Sequence, residues 1–110
     1  MSINNSKTFD AEAIRDTSGH NGTIVYNGDF IIKTIIIENG LNQNVSLQCQ
    51  ASANADFSNS FNVGSAFDVS ANTDTFQTCE SYFPYWRLVA TCNTAPTTGD
   101  LTVHTMGVKE

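Results

Sequence analysis

The chain is 110 residues long, 40% of them hydrophobic and only 15% charged, with a formal net charge of −6. That length makes one domain with one modest core. Its five Lys and Arg residues cannot build a phosphate-binding stripe, which argues against nucleic acid and anionic membranes as partners. With few charges, polar surface must come from Asn, Ser, Thr and Gln, side chains that compete for backbone hydrogen bonds and disfavour helix. Few charged gatekeepers are left for sheet edges, so covered edges are expected, with copies of the same chain as one cover.

Residues 1–22 are polar and weakly patterned and read as an N-terminal arm. Within it, Lys7 to Ile14 suits a short strand with Phe9, Ala11 and Ala13 on one face, and 16–22 has loop composition. The opening MSINNSKTFD has no apolar h-region, so synthesis and folding are expected in the cytoplasm. The apolar run from Phe30 to Ile37 is interrupted by Lys33 and is too short to span a bilayer.

Thr23 to Tyr26 and Phe30 to Glu38 read as strands around the turn Asn27-Gly28-Asp29. The second is apolar on both faces: Phe30, Ile32 and Ile36 on one, and Ile31, Ile35 and Ile37, with Lys33, on the other. The next strand alternates cleanly, with Val45, Leu47, Cys49 and Ala51 inward. Asn39-Gly40 suggests a hairpin between the two. A loop over Asn39–Asn42 would pair Ile36 with Val45 and Ile32 with Cys49, better partners than a two-residue loop allows. This register puts Phe30, Ile32 and Ile36 in the core. Ile31, Ile35 and Ile37 then need a cover, supplied by the arm, a second sheet or another subunit. Ser52–Ser60 is an Asn-rich loop. Phe61–Val69, bent at Gly64, and Asn72–Cys79 follow as strands.

The stretch Tyr82 to Val103 contains the only Trp and both Pro residues. Trp86, Leu88, Ala90 and Cys92 point one way and suit a core; Tyr85, Arg87, Val89 and Thr91 point the other. Pro84 fits a strand start. Thr94 to Asp100 is turn chemistry, with Gly99 supplying positive φ, and Leu101-Thr102-Val103 resumes a strand. Seven or eight short strands at a spacing of about 8–12 residues predict an all-β fold, a single antiparallel, jelly-roll-like β-sandwich over 23–110.

Chemistry-bearing patterns are sparse. The chain has no G-x-S-x-G, no H-E-x-x-H and no phosphate-cradling Gly loop, so no enzyme activity and no cofactor are expected. Cys49, Cys79 and Cys92 include no CxxC, and His20 and His104 lack zinc-ligand offsets; the thiols read as small hydrophobes, with a Cys79–Cys92 bridge left open. Asp16-x-Ser18-x-His20 and Asn54-x-Asp56-x-Ser58 offer oxygens at alternate positions but lack the full calcium-loop pattern, and read as Asx-turns. Tyr82, Phe83, Tyr85 and Trp86 suit either a sugar-stacking platform or core and interface anchors. Tyr85 beside Arg87 suits a protein contact. The sequons at Asn4, Asn21 and Asn44 matter only in a glycosylating host.

Several blocks resemble small structural proteins of tailed bacteriophages and prophages: Ala13–Ser18, Lys33–Asn39, Leu41–Val45, Phe61–Ser65 and, above all, Phe83–Thr102. The last, an aromatic-R-(V/L)-x-A-T…A-P-T-(S/T)-G-x-L pattern, is similar to the closing hairpin of many virion β-sandwich domains. The resemblance covers most of residues 13–106; the Asn-rich loop Ser52–Ser60 departs from it. It implies a virion protein, and a free-standing chain of this length suits a capsid decoration or cement protein on the capsid surface. Such a protein oligomerises, a trimer being expected from shell symmetry, and binds the phage major capsid protein. The residues expected at subunit or shell contacts are Phe9, Ile14, Ile31, Ile35, Ile37, Tyr85 and Arg87. The competing expectation is a fibre or tail module that binds host carbohydrate through Tyr82, Tyr85 or Trp86.

Overall fold

Strand formation is what β-branched and aromatic residues at alternating positions favour, and a computed structural model of the chain, describing residues 2–26, 32–78 and 84–109, contains strands and no helix among those residues. In chain order the strands are β1 (Ser2–Glu12), β2 (His20–Asn21), β3 (Val25–Tyr26), β4 (Ile32–Asn39), β5 (Val45–Ser52), β6 (Phe61–Val69), β7 (Thr73–Thr78), β8 (Tyr85–Thr91) and β9 (Leu101–Lys109). They form two antiparallel sheets, one in the order β1-β9-β4-β7 and the other in the order β2-β8-β5-β6, with β3 also on β8. The expected β-sandwich is thus present. Its radius of gyration, 13.5 Å, is close to the roughly 13 Å of a single domain of this size.

The core lies between the sheets. Sheet β1-β9-β4-β7 contributes Phe9, Ile35, Ile37, Leu101 and Val103. The other sheet contributes Val45, Leu47, Cys49, Trp86, Leu88 and Ala90, and Ile14, Leu41, Val69 and Cys92 complete it. The inward sets read from β5 and β8 hold. β5 alternates buried and half-buried along its length until the buried pair Ala51 and Ser52, and β8 alternates throughout.

The expected β4–β5 hairpin does not form. β4 pairs β7 and β9, whereas β5 pairs β6 and β8, so the link between them crosses from one sheet to the other. Asn39 organises that crossing. Its buried Nδ2 donates to the carbonyls of Gln43, Val69 and Ser70, and its Oδ1 accepts from the Leu41 N–H. The phase of β4 is also the reverse of the expected one. Ile35 and Ile37 are buried and Ile36 faces out at 36% exposure. The pairing shows why: Ile37 lies beside Val103 and Asn39 beside Leu101, both core residues, while Ile36 lies beside His104. With Ile on both faces the residues do not decide the phase, and the expected hairpin with β5, which pairs Ile36 with Val45, favours the wrong one. The second sheet supplies the cover for Ile35 and Ile37. Phe30 and Ile31 lie outside the described residues.

Residues 2–21 of the stretch read as an arm contribute β1 and β2 to the sandwich itself. β1 pairs β9 with register shifts on either side of Phe9, and Ala11 takes φ +51°, so the alternation expected for Phe9, Ala11 and Ala13 breaks; only Phe9 of the three is buried. The chain then bridges the sheets on this side. Thr23 N–H donates to Thr8 O, and Gly22 N–H donates to Leu88 O. The opposite side, between β6 and β7, is open. There a groove of roughly 230 Å³ runs between the strands, lined by Cys49, Val63, Phe67 and Gln77 among others.

Candidate interaction surface

Two outer sheet faces carry the exposed large side chains. On the β1-β9-β4-β7 face, cross-strand pairing places Lys7, His104, Ile36 and Phe76 in one row, since directly opposed residues share a face. Phe76 is 71% exposed. His104 Nε2 sits 2.8 Å from Glu38 Oε1, and Lys7 pairs with Asp10 at 3.5 Å. Asn5, Lys7, Ile36, Glu38, His104 and Met106 help line an open depression on this face of roughly 600 Å³.

On the other outer face, Tyr26 opposes Tyr85, with ring centroids 5.4 Å apart and planes tilted by 50°. Tyr26 is 63% exposed. Arg87 Nε donates to Gln50 Oε1, and Gln50 Nε2 donates to Asn62 Oδ1. The guanidinium also lies 4.2 Å from the Phe57 ring centroid, a cation–π contact worth about 1 kcal/mol. Phe57 adopts φ +61°, a strained conformation for an aromatic residue. The Asn-rich loop holds it there: Phe57 N–H donates to Asn54 O, Ser52 Oγ to Ser58 O, and Ser58 N–H to Asp56 Oδ1. That loop therefore props Arg87 from below.

Both candidate calcium stretches are Asx-turns. Asp16 Oδ1 accepts from Ser18 N–H, Ser18 Oγ and His20 Nε2, the last at 2.7 Å. The His20 and Ser18 hydrogen bonds hold the Asp16 carboxyl below its ordinary range. Bonds from Ser58, the backbone N–H foremost, do the same for Asp56. Among the described residues no group of three or more His, Cys, Asp or Glu is placed to hold a metal ion. Cys49 and Cys92 are buried, and burial, then the Asp16 charge, pushes the Cys92 thiol up. Cys79 lies outside the described residues.

Of the expected contact residues, Phe9, Ile14, Ile35 and Ile37 are buried in the core and have no surface to offer a sister subunit or a shell. In the sequence they look surplus because the phase of β4 is ambiguous there and nothing local ties residues 1–22 to the core. Ile31 lies outside the described residues. Tyr85 and Arg87 do stand on an outer face. Trp86 is buried, which removes it from any sugar platform; Tyr82 and Phe83 lie outside the described residues. The exposed large apolar residues missed were Ile24, Tyr26, Ile36, Phe61 and Phe76. Phe76 had a signal, being the only large apolar residue in Thr73–Thr78. Tyr26 had none, because its partner Tyr85 is distant in sequence.

The architecture defines a two-sheet antiparallel sandwich with no helix among the described residues. No family model matches the chain, and neither does any curated protein. Solved structures do. The chain is similar to the SPBc2 prophage-derived protein YomS at 13% identity and a TM-score of 0.62, over 98% of this chain and 94% of that one. It is similar to PirA at 14% identity and a TM-score of 0.53, over 96% and 91%. A chain of infectious bursal disease virus, Gx strain, matches at 7% identity and a TM-score of 0.57, over 98% of this chain and 32% of that one. At these identities the likeness establishes the shared fold.

Proposed function

We propose that the protein is a non-enzymatic structural component of a phage virion, of the capsid decoration or cement type, which self-associates and binds the assembled shell. The observation that carries this reading is the end-to-end likeness to a prophage-derived protein, which extends over nearly the whole of both chains. The likeness to a viral chain adds support, as do the exposed Ile36, Phe76 and Tyr26 on the outer faces. Isolated exposed apolar residues are ordinary on a monomer, but Phe76 and Ile36 are adjacent and flank a free sheet edge. A protein that binds only the assembled shell stabilises it by mass action, which needs contact surface and no catalytic group. The partner is the major capsid protein, and the place of action is the capsid surface.

The test is co-sedimentation with purified, expanded heads that lack decoration. Saturable binding with a fixed number of copies per head is expected, together with raised resistance of the heads to heat. Heads that pellet without the protein at every concentration would end the proposal.

A second reading is favoured by one observation, the Tyr26–Tyr85 pair on an outer sheet face, with Arg87 and its partner Gln50 two residues along β8. Paired aromatic rings with polar side chains near them suit the apolar face and hydroxyls of a sugar, as in a fibre or tail module that recognises host carbohydrate. Glycan-array hits lost in both Tyr26→Ala and Tyr85→Ala, with no head binding, would support it.

A further inference from the structure

We propose that β7 is a self-complementary edge, through which two copies of the chain join their β1-β9-β4-β7 sheets about a two-fold axis. The inference does not depend on the virion reading. It rests on the edge itself.

One side of β7 is fully paired to β4, from Thr34↔Thr78 to Asn39↔Thr73. Its other side meets no strand among the described residues, and all six residues are exposed. Such an edge presents a row of unpaired N–H and C=O groups, which proteins ordinarily blunt. The other edges here are blunted. β6 carries a bulge in which Gly64, Ser65 and Ala66 stand against the single residue Gln48, with Gly64 at φ +69°. β1 has two register shifts and the charges of Lys7, Asp10 and Glu12. β2 and β3 are two residues each. Ser2–Lys7 of β1 is a regular edge run as well, but among the described edge strands β7 alone is regular over its whole length.

The sequence of β7 favours a second copy as the occupant. In a two-fold antiparallel pair, opposed residues must share a face, so the axis passes through a residue position. Centred on Phe76, the pairing sets Phe76 against Phe76 of the second copy, Thr75 against Gln77, and Asp74 against Thr78. Every pair is then compatible, and Ile36, next to Phe76 on β4, extends the apolar strip on both sides of the axis. Centred on Thr75, the same strand sets Asp74 against Phe76. Centred on Asp74, it sets two carboxylates face to face. A register centred on Gln77 has no conflict but uses only Phe76 to Thr78, so the Phe76 register is the one that pairs most of β7. On the inner side, the open grooves lined by Val63, Phe67 and Gln77 would face one another and extend the sandwich interior. The two-fold operation closes a dimer, in place of the trimer expected from shell symmetry.

A five-residue seam is at the small end of specific interfaces, below roughly 1,200 Å², so association is expected near the micromolar range (about −8 kcal/mol). Sedimentation of the wild-type chain over a concentration series should show a monomer–dimer equilibrium. Phe76→Lys should weaken it by at least about tenfold, with an unchanged circular dichroism spectrum because the side chain is exposed. Register is tested by oxidation in a Cys79→Ser background. Phe76→Cys places two thiols about 5 Å apart at the Cα atoms, within disulfide reach. Thr75→Cys places them about 8 Å apart, beyond it. Rapid cross-linking of the first and not the second is expected. A wild-type chain that stays monomeric throughout, Thr75→Cys linking as fast as Phe76→Cys, or Phe76→Cys linking only once capsid shells are added would each overturn the inference. The last would assign the edge to a strand of the shell.

Discussion

Asn39 is a buried amide that serves four backbone groups at once, at the point where the chain leaves one sheet for the other. Removing it takes a partner from the buried Val69 carbonyl and Leu41 N–H, and each such group costs about 1–3 kcal/mol. Asn39→Ala should therefore lose about 3 kcal/mol, read from the midpoint of a urea titration. Asp16 is a different case, since its side chain is exposed. Its folded carboxyl titrates below the ordinary value of 3.8 because of the His20 and Ser18 hydrogen bonds. The unfolded chain thus binds more protons in that window, and stability rises with pH across it. The contribution is complete above the ordinary value and lost as pH falls through the lower folded one. Asp16→Asn should accordingly be less stable than wild type at neutral pH and converge with it at low pH. A gap that persists unchanged at low pH would contradict this account. The sequence showed both residues as turn formers. It did not show that the Asn39 side chain is buried, because its acceptors Val69 and Ser70 lie some thirty positions away.

At the scale of elements, the turn before β9 was readable and its tightness was not. Gly99 takes φ +85°, as its place in Thr94–Asp100 suggested. An added Cβ would fall on the Gly40 carbonyl, because Gly40 N–H donates to Asp100 O and holds the two loops together. Gly99→Ala should cost about 3 kcal/mol or more, combining left-handed strain with a backbone clash; thermal unfolding would measure it. The side chain of Asn42 completes the joint by bonding Thr97 in both directions. β5 and β8 were placed on the right faces because each has one apolar and one polar side. β4 was not, because Ile occupies both of its sides and only its neighbours β7 and β9 fix which one is covered. The candidate contact residues failed along the same line. Tyr85 and Arg87 come from an alternating strand and stand on the surface, whereas Ile35 and Ile37 come from the ambiguous one and are buried.

For the whole molecule, charge sets the terms of assembly. Each copy carries a formal −6, so bringing copies together is opposed by repulsion that salt screens. The Debye length shrinks from about 30 Å at 0.01 M to about 8 Å at 0.15 M ionic strength. Self-association should strengthen several-fold over that range, measured by sedimentation, the reverse of a complex steered by opposite charges. Gly22 and Thr23 bridge the two sheets on one side, and the sandwich is open between β6 and β7 on the other, where the proposed β7 pairing lies. Residue order was sufficient for the all-β class, most strand positions and the inward faces of β5 and β8, since alternation and turn chemistry act over a few residues. The partners of β4, the burial of Phe9 and Ile14, the meeting of Tyr26 with Tyr85 and the free edge at β7 emerged only on folding. Each depends on which distant strands lie side by side, and hydrogen-bond pairing across a sheet leaves no mark on the local sequence.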